Sequence, residues 1–160
     1  MHGCARLTTL GAVLVTAMLV PSLGAQLADR KALTLEGAKR IMAAAEAEAA
    51  RHQWNVAIAI VDEAGELLLF QKLDGTQVAS VDIAIGKART AARFRRPSKA
   101  LEDTTAKRPT LMAVGGILPL EGGVPIVVEG RVIGAVGVSG VQSQQDAQIA
   151  EAGIAALQVK

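Results

Sequence analysis

Few side chains in this sequence have the type and spacing that chemistry needs. Beyond residue 25 the sole imidazole is His52, and there is no tyrosine; the single cysteine, Cys4, falls before that point. A Ser-His-Asp triad would have to recruit His52, and no Gly-x-Ser-x-Gly elbow presents a nucleophilic serine. No His/Cys spacing suits zinc, and there is no His-Glu-x-x-His. The acidic run Asp62-Glu63-Ala64-Gly65-Glu66 lacks the alternating oxygen ligands of a calcium loop and reads as a turn. Gly115-Gly116 and Gly122-Gly123 lack the following Lys-Ser or helix start that cradles phosphate. An ordinary hydrolase or nucleotide enzyme is therefore disfavoured, and binding is the better reading; whether any activity exists stays open.

Two local features remain. The first is a basic cluster, Lys87, Arg89, Arg93, Arg95, Arg96 and Lys99. It reads either as a solvated helix face or as cations that meet ligand carboxylates, for which arginine offers a two-pronged fork. Without interleaved aromatics it makes a poor nucleic-acid surface. The second is His52, which closes a helix and so either interacts with the helix dipole or, as the only imidazole left, offers a nitrogen to haem iron.

The elements that must position these residues follow from periodicity. Thr34 is a good N-cap, and Leu35, Ala38, Ile41, Met42, Ala45 and Ala49 recur at helical spacing, predicting a helix over 35–52. Val56 to Val61 is a β-branched apolar run that predicts a strand covered on both faces, paired through the 62–66 turn with Leu67–Phe70. Helical spacing returns over 78–94 and stops before Pro97. Ser98 is placed to cap a short helix near 99–104, and 106–116 reads as a connector. Three strands follow, at Ile117–Leu120, Val124–Glu129 and Arg131–Ser139, the last two joined by Glu129-Gly130. Gly134 and Gly137 inside the last strand imply a close backbone or a ligand on that face. Residues 144–157 form the final helix. The order α-β-β-α-(α)-β-β-β-α is an α+β arrangement with a mainly antiparallel five-stranded sheet.

The chain has 160 residues, 51% of them apolar and 20% charged, enough for one domain with its own core. Arg6, the uncharged run Leu10 to Val20, and Ser22-Leu23-Gly24-Ala25 have the layout of a secretory signal peptide over 1–25, with the domain spanning 26–160. The run falls short of the roughly 20 residues that span a bilayer. The expected location is periplasmic or extracellular, with no membrane attachment after cleavage. Without Arg6 the 17 basic residues become 16 against 15 acidic, a formal +1 that gives no reason to expect nucleic acid.

The stretch from Gly122-Gly123-Val124-Pro125-Ile126 through Glu129-Gly130 to Ile133-Gly134-Ala135-Val136-Gly137-Val138-Ser139-Gly140, followed by Asp146, resembles the signature of the GlcG/HbpS (DUF336) family. Val61-Asp62 with Gly65, Leu73-Asp74-Gly75 and Lys87-Ala88-Arg89-Thr90-Ala91 match its earlier blocks, so the resemblance covers about 34–157. It implies a profilin-like domain, assembly from dimers up to octamers, and haem binding in some members, including the related PduO C-terminal domain. "Haem-degrading" is a label of the family and does not by itself imply an oxygenase. The matching positions read as a ligand-facing wall: His52 with haem iron as its possible partner, Lys87, Arg93 and Arg96 as cations, Gly122, Gly123 and Pro125 shaping the backbone. Asp146 belongs to the same set, or simply stabilises the first turn of the last helix. Three functions follow: a haem- or small-ligand-binding protein serving a sensor or uptake system, an enzyme or accessory subunit for a small carboxylate, or an oligomeric interaction module.

Overall fold

The computed structural model describes residues 27–157, and the leader expected over 1–25 lies outside them. Helix α1 spans Leu35–Arg51, and the Thr34 hydroxyl accepts the Gly37 amide at 3.1 Å, as its N-cap position demands. Strands β1 (Ala57–Asp62) and β2 (Leu67–Lys72) pair antiparallel across the acidic run. That run is a turn because the Asp62 carboxylate accepts the amides of Ala64 (2.9 Å) and Glu66 (2.8 Å). Helix α2 covers Ser80–Phe94 and ends on Arg95 in a left-handed conformation (φ 53°). Helix α3 (Ser98–Lys107) is followed by a 3-10 turn, Pro109–Ala113. Strands β3 (Gly123–Val128) and β4 (Arg131–Ser139) form a hairpin, and α4 (Ser143–Ala155) completes the fold.

The sheet has four strands in the order β2-β1-β4-β3, each neighbouring pair antiparallel. β1 and β4 are central, so β1 is buried on both faces, as its unbroken apolar run required. On one face Ile58, Ile60, Val136 and Val138 meet Ile41, Met42 and Ala45 of α1 and Ile149 of α4. On the other, Ala57, Ala59, Val61 and Ala135 meet Ala84, Ala88, Ala91 and Ala92 of α2. This alanine-on-alanine layer lets α2 lie close against the sheet. A Cβ on Gly137 would stand 2.2 Å from the Ala84 carbonyl oxygen, so its lack of a side chain serves the approach of another backbone.

The fifth strand expected at Ile117–Leu120 is not formed. Its backbone is satisfied elsewhere: the Leu118 amide donates to the Thr90 hydroxyl (2.8 Å), and the Leu120 carbonyl accepts from Ser98 (2.6 Å). Pro119 has no amide to give a ladder. The Leu118 side chain lies over Gly86, so the segment packs across α2 instead of extending the sheet. The Ser98 hydroxyl is used in this contact and does not cap α3.

Candidate functional site

Four of the residues singled out from sequence meet at one junction. Lys87, on the sheet side of α2, donates to Asp146 Oδ2 at 2.8 Å and to the Val138 carbonyl at 3.0 Å. Asp146, in the first turns of α4, also accepts the Val141 amide at 3.2 Å. Gly122 has φ +118°, and a Cβ there would lie 2.8 Å from Lys87 Nζ and 2.9 Å from the Asp146 Cβ. Gly123 lies against the Lys87 carbonyl, and its amide donates to Ser98 at 2.8 Å. The side chains of Lys87 and Asp146 are 3% and 2% exposed. Burial pushes the Asp146 carboxyl above its ordinary range, against the pull of Lys87 and the Val141 amide. Chemically the junction is a buried ion pair that fastens α2, β4, α4 and the entry to β3; its ammonium is not presented to solvent. Pro125 lies half-buried on the edge strand β3, opposite Ala135, where a missing amide breaks no interior ladder.

The arginines divide. Arg89 and Arg93 reach from α2 to the β1–β2 turn, donating to the carbonyls of Gly65 (3.1 Å) and Ala64 (2.9 Å), and Arg93 also pairs with Glu66 at 3.3 Å. Arg96 is exposed and folds back on the Phe94 carbonyl. Lys99 pairs with Asp103 one turn along α3. The cluster therefore combines a buried cation, two braces for a turn and a solvated remainder.

His52 stands apart from all of these. It is the C-cap of α1, its ring stacks on Trp54 (centroids 4.2 Å apart, 15° between planes), and it is 40% exposed. Its Nε2 faces Glu48 at 3.3 Å and the Gln148 amide at 3.4 Å. Glu48 is buried, also pairs with Arg51, and accepts from Gln148 at 2.7 Å. Carboxylate and amide thus face Nε2 of the imidazole together. Among the described residues, no group of three or more His, Cys, Asp or Glu side chains comes together to hold a metal ion.

The model of the family described as "Haem degrading protein HbpS-like" matches residues 33–155. The chain belongs to the HbpS-like family. GlcG of Escherichia coli (strain K12) is 43% identical to this HbpS-like chain over 108 residues, 67% of the chain and 81% of GlcG. The crystal structure of a double mutant of Streptomyces reticuli HbpS superposes with a TM-score of 0.79 at 34% identity, covering 94% of this chain and all of that one. A crystal structure of a PduOC–haem complex superposes at 0.74 with 27% identity, over 81% of this HbpS-like chain and 98% of that one.

Sequence reasoning missed three participants. Ser98 joins Leu120 and Gly123 across more than twenty residues, a pairing no local pattern announces. Gln148 reaches Glu48 from a different helix. The Glu48–His52 spacing on one helix face, by contrast, was available in the sequence.

Proposed function

We propose that this HbpS-like protein is an exported binding protein for haem or a related small ligand, assembling as a homo-oligomer and serving a sensor or uptake partner. The observation that carries the reading is the family match over nearly all of 27–157, together with likeness to a relative crystallised with haem. The leader-like residues 1–25 support export.

Haem needs a soft or imidazole donor or a surface on which to lie. Among the described residues the imidazole and thioether donors are His52, Met42 and Met112. Met42 is buried under α1, and the His52 Nε2 is engaged by Glu48 and Gln148. Met112 is 54% exposed. The alternative, an enzyme or accessory subunit holding a small carboxylate, must do without Lys87, whose ammonium is committed to Asp146.

Native mass spectrometry of the protein recovered from its own host's periplasm or medium tests the proposal. The expected spectrum is an oligomer lacking residues 1–25 and carrying a haem mass. Recovery without any retained molecule, and with no shift of the Soret band when hemin is added, refutes it.

A further inference from the structure

The two edges of the sheet, β2 and β3, differ in what they leave unpaired. At β3 the Val138 amide donates to the Gly122 carbonyl at 2.9 Å. Hydrogen-bonded positions alternate along an antiparallel pair, so Gly123 and Pro125 turn their backbone away from β4. The Gly123 amide is taken by Ser98 at 2.8 Å, and Pro125 has none to offer. The register then shifts between Ile126 and Val127. This edge is closed to a further strand.

β2 is not closed in this way. The Leu73 amide donates to the Val56 carbonyl at 3.0 Å, and the same alternation turns the amides and carbonyls of Phe70 and Lys72 outward. Among the described residues, β1 is the only strand paired with β2. The strand contains no proline, its register shift falls near its start, and its one charged side chain, Lys72, comes last. Phe70 packs on the α2 side and Leu69 on the α1 side, each half-buried. Apolar side chains thus continue both layers up to an edge whose backbone is unpaired.

Charge indicates what fits there. Glu66 and Lys72 bracket the strand, and both are exposed. Both also lie on the α2 side: Glu66 reaches Arg93 of α2, and Lys72 is paired with Ala57, which packs on the α2 alanines. A copy of β2 laid antiparallel about Leu69 sets Leu67 opposite Gln71 and Glu66 opposite Lys72, and two-fold symmetry makes each pairing twice. The register centred on Phe70 instead sets Glu66 against Asp74, which repels.

We propose that β2 is the edge through which two copies of this chain join, making one continuous sheet across a two-fold axis at Leu69, with Glu66 of each copy meeting Lys72 of the other. The proposal rests on the homo-oligomer in the reading above and adds the surface that forms it. It does not depend on which ligand the protein carries.

Sedimentation of the purified protein and hydrogen exchange test it together. The wild type sediments as a dimer or a multiple of one, and the outward amides of Phe70 and Lys72 exchange as slowly as those of Leu69 and Gln71. Lys72→Glu turns two attractions into two repulsions and weakens self-association by about tenfold or more, while Glu66→Lys combined with Lys72→Glu restores it. In a Cys4→Ser background, Leu69→Cys cross-links to its own copy on oxidation, and Val127→Cys on the β3 edge does not. If the protein assembles while Lys72→Glu assembles equally well and both outward amides exchange freely, another face joins the copies; this proposal falls and the homo-oligomer stands. A wild type that stays monomeric at every concentration ends both readings. Slow exchange at Phe70 and Lys72 in a monomer would show another segment of the chain on this edge, and would likewise overturn the proposal.

Discussion

Lys87 and Asp146 meet at 2.8 Å with 3% and 2% of their side chains exposed, joining α2 to α4 beneath a turn that only glycine can form at position 122. Removing one partner strands the other charge in a low-dielectric interior. Asp146→Ala is expected to lower the unfolding free energy by about 3–5 kcal/mol in urea titrations. The paired replacement Lys87→Met with Asp146→Leu removes both desolvation costs and is expected to lie within about 1–2 kcal/mol of the wild type. A double variant as unstable as Asp146→Ala would show that the pair contributes more than mutual neutralisation.

The same burial sets a pH dependence. The Asp146 carboxyl is held above its ordinary 3.8, so in the interval between its unfolded and folded pKa values the folded chain binds more protons than the unfolded one. Its contribution to stability is therefore fully present below the unfolded pKa and is lost as pH rises through the folded one. The difference in unfolding free energy, wild type minus Asp146→Asn, is expected to decrease from about pH 3 towards neutrality. A difference that increases over that range contradicts the burial argument.

Glycines separate by what surrounds them. Gly137→Ala drives a methyl to 2.2 Å from the Ala84 carbonyl, an atom of helix backbone that cannot move aside locally. The expected cost is about 3 kcal/mol or more, seen as a lower melting temperature or as insoluble protein. Gly115→Ala, with no atom within 4 Å, leaves the melting temperature unchanged or slightly raised through lower unfolded-chain entropy. Equal destabilisation by the two would overturn the packing account.

Trp54 is the only tryptophan in the chain, and its ring lies 4.2 Å from that of His52. His52→Ala is expected to alter the intensity of tryptophan emission in the folded protein and to cost about 0.5–1.5 kcal/mol, the worth of a stacked aromatic pair. The low end applies because the imidazole is 40% exposed. Unchanged emission would mean that the stack does not persist in solution.

Ser98 closes the account of the missing strand. Its hydroxyl donates to the Leu120 carbonyl and accepts the Gly123 amide, so Ser98→Ala leaves a buried donor without a partner. A loss of about 1–3 kcal/mol is expected, with faster hydrogen exchange at Gly123. Exchange at the wild-type rate would indicate that the amide finds another acceptor.

Four helices, the two hairpins and the burial of β1 on both faces were legible in the sequence, because each is a local matter of periodicity, capping and turn chemistry. The family signature was legible for the same reason: it is a contiguous string. Ile117–Leu120 reads as a strand in the sequence because an apolar run bounded by glycines has no local mark distinguishing a ladder from a segment held by Thr90 and Ser98 on two helices. Likewise Lys87 looked like one member of a basic cluster, since sequence spacing carries no measure of depth. Its partner lies 59 residues away, and only the packing of α2 and α4 about β4 brings the two together and takes them out of water. Pattern alone determined the four helices, the two hairpins and the lack of cysteine and tyrosine in residues 26–160. Which charges are buried and which glycines are filled by neighbours were decided by tertiary structure, because desolvation and close contact depend on segments far apart in the chain.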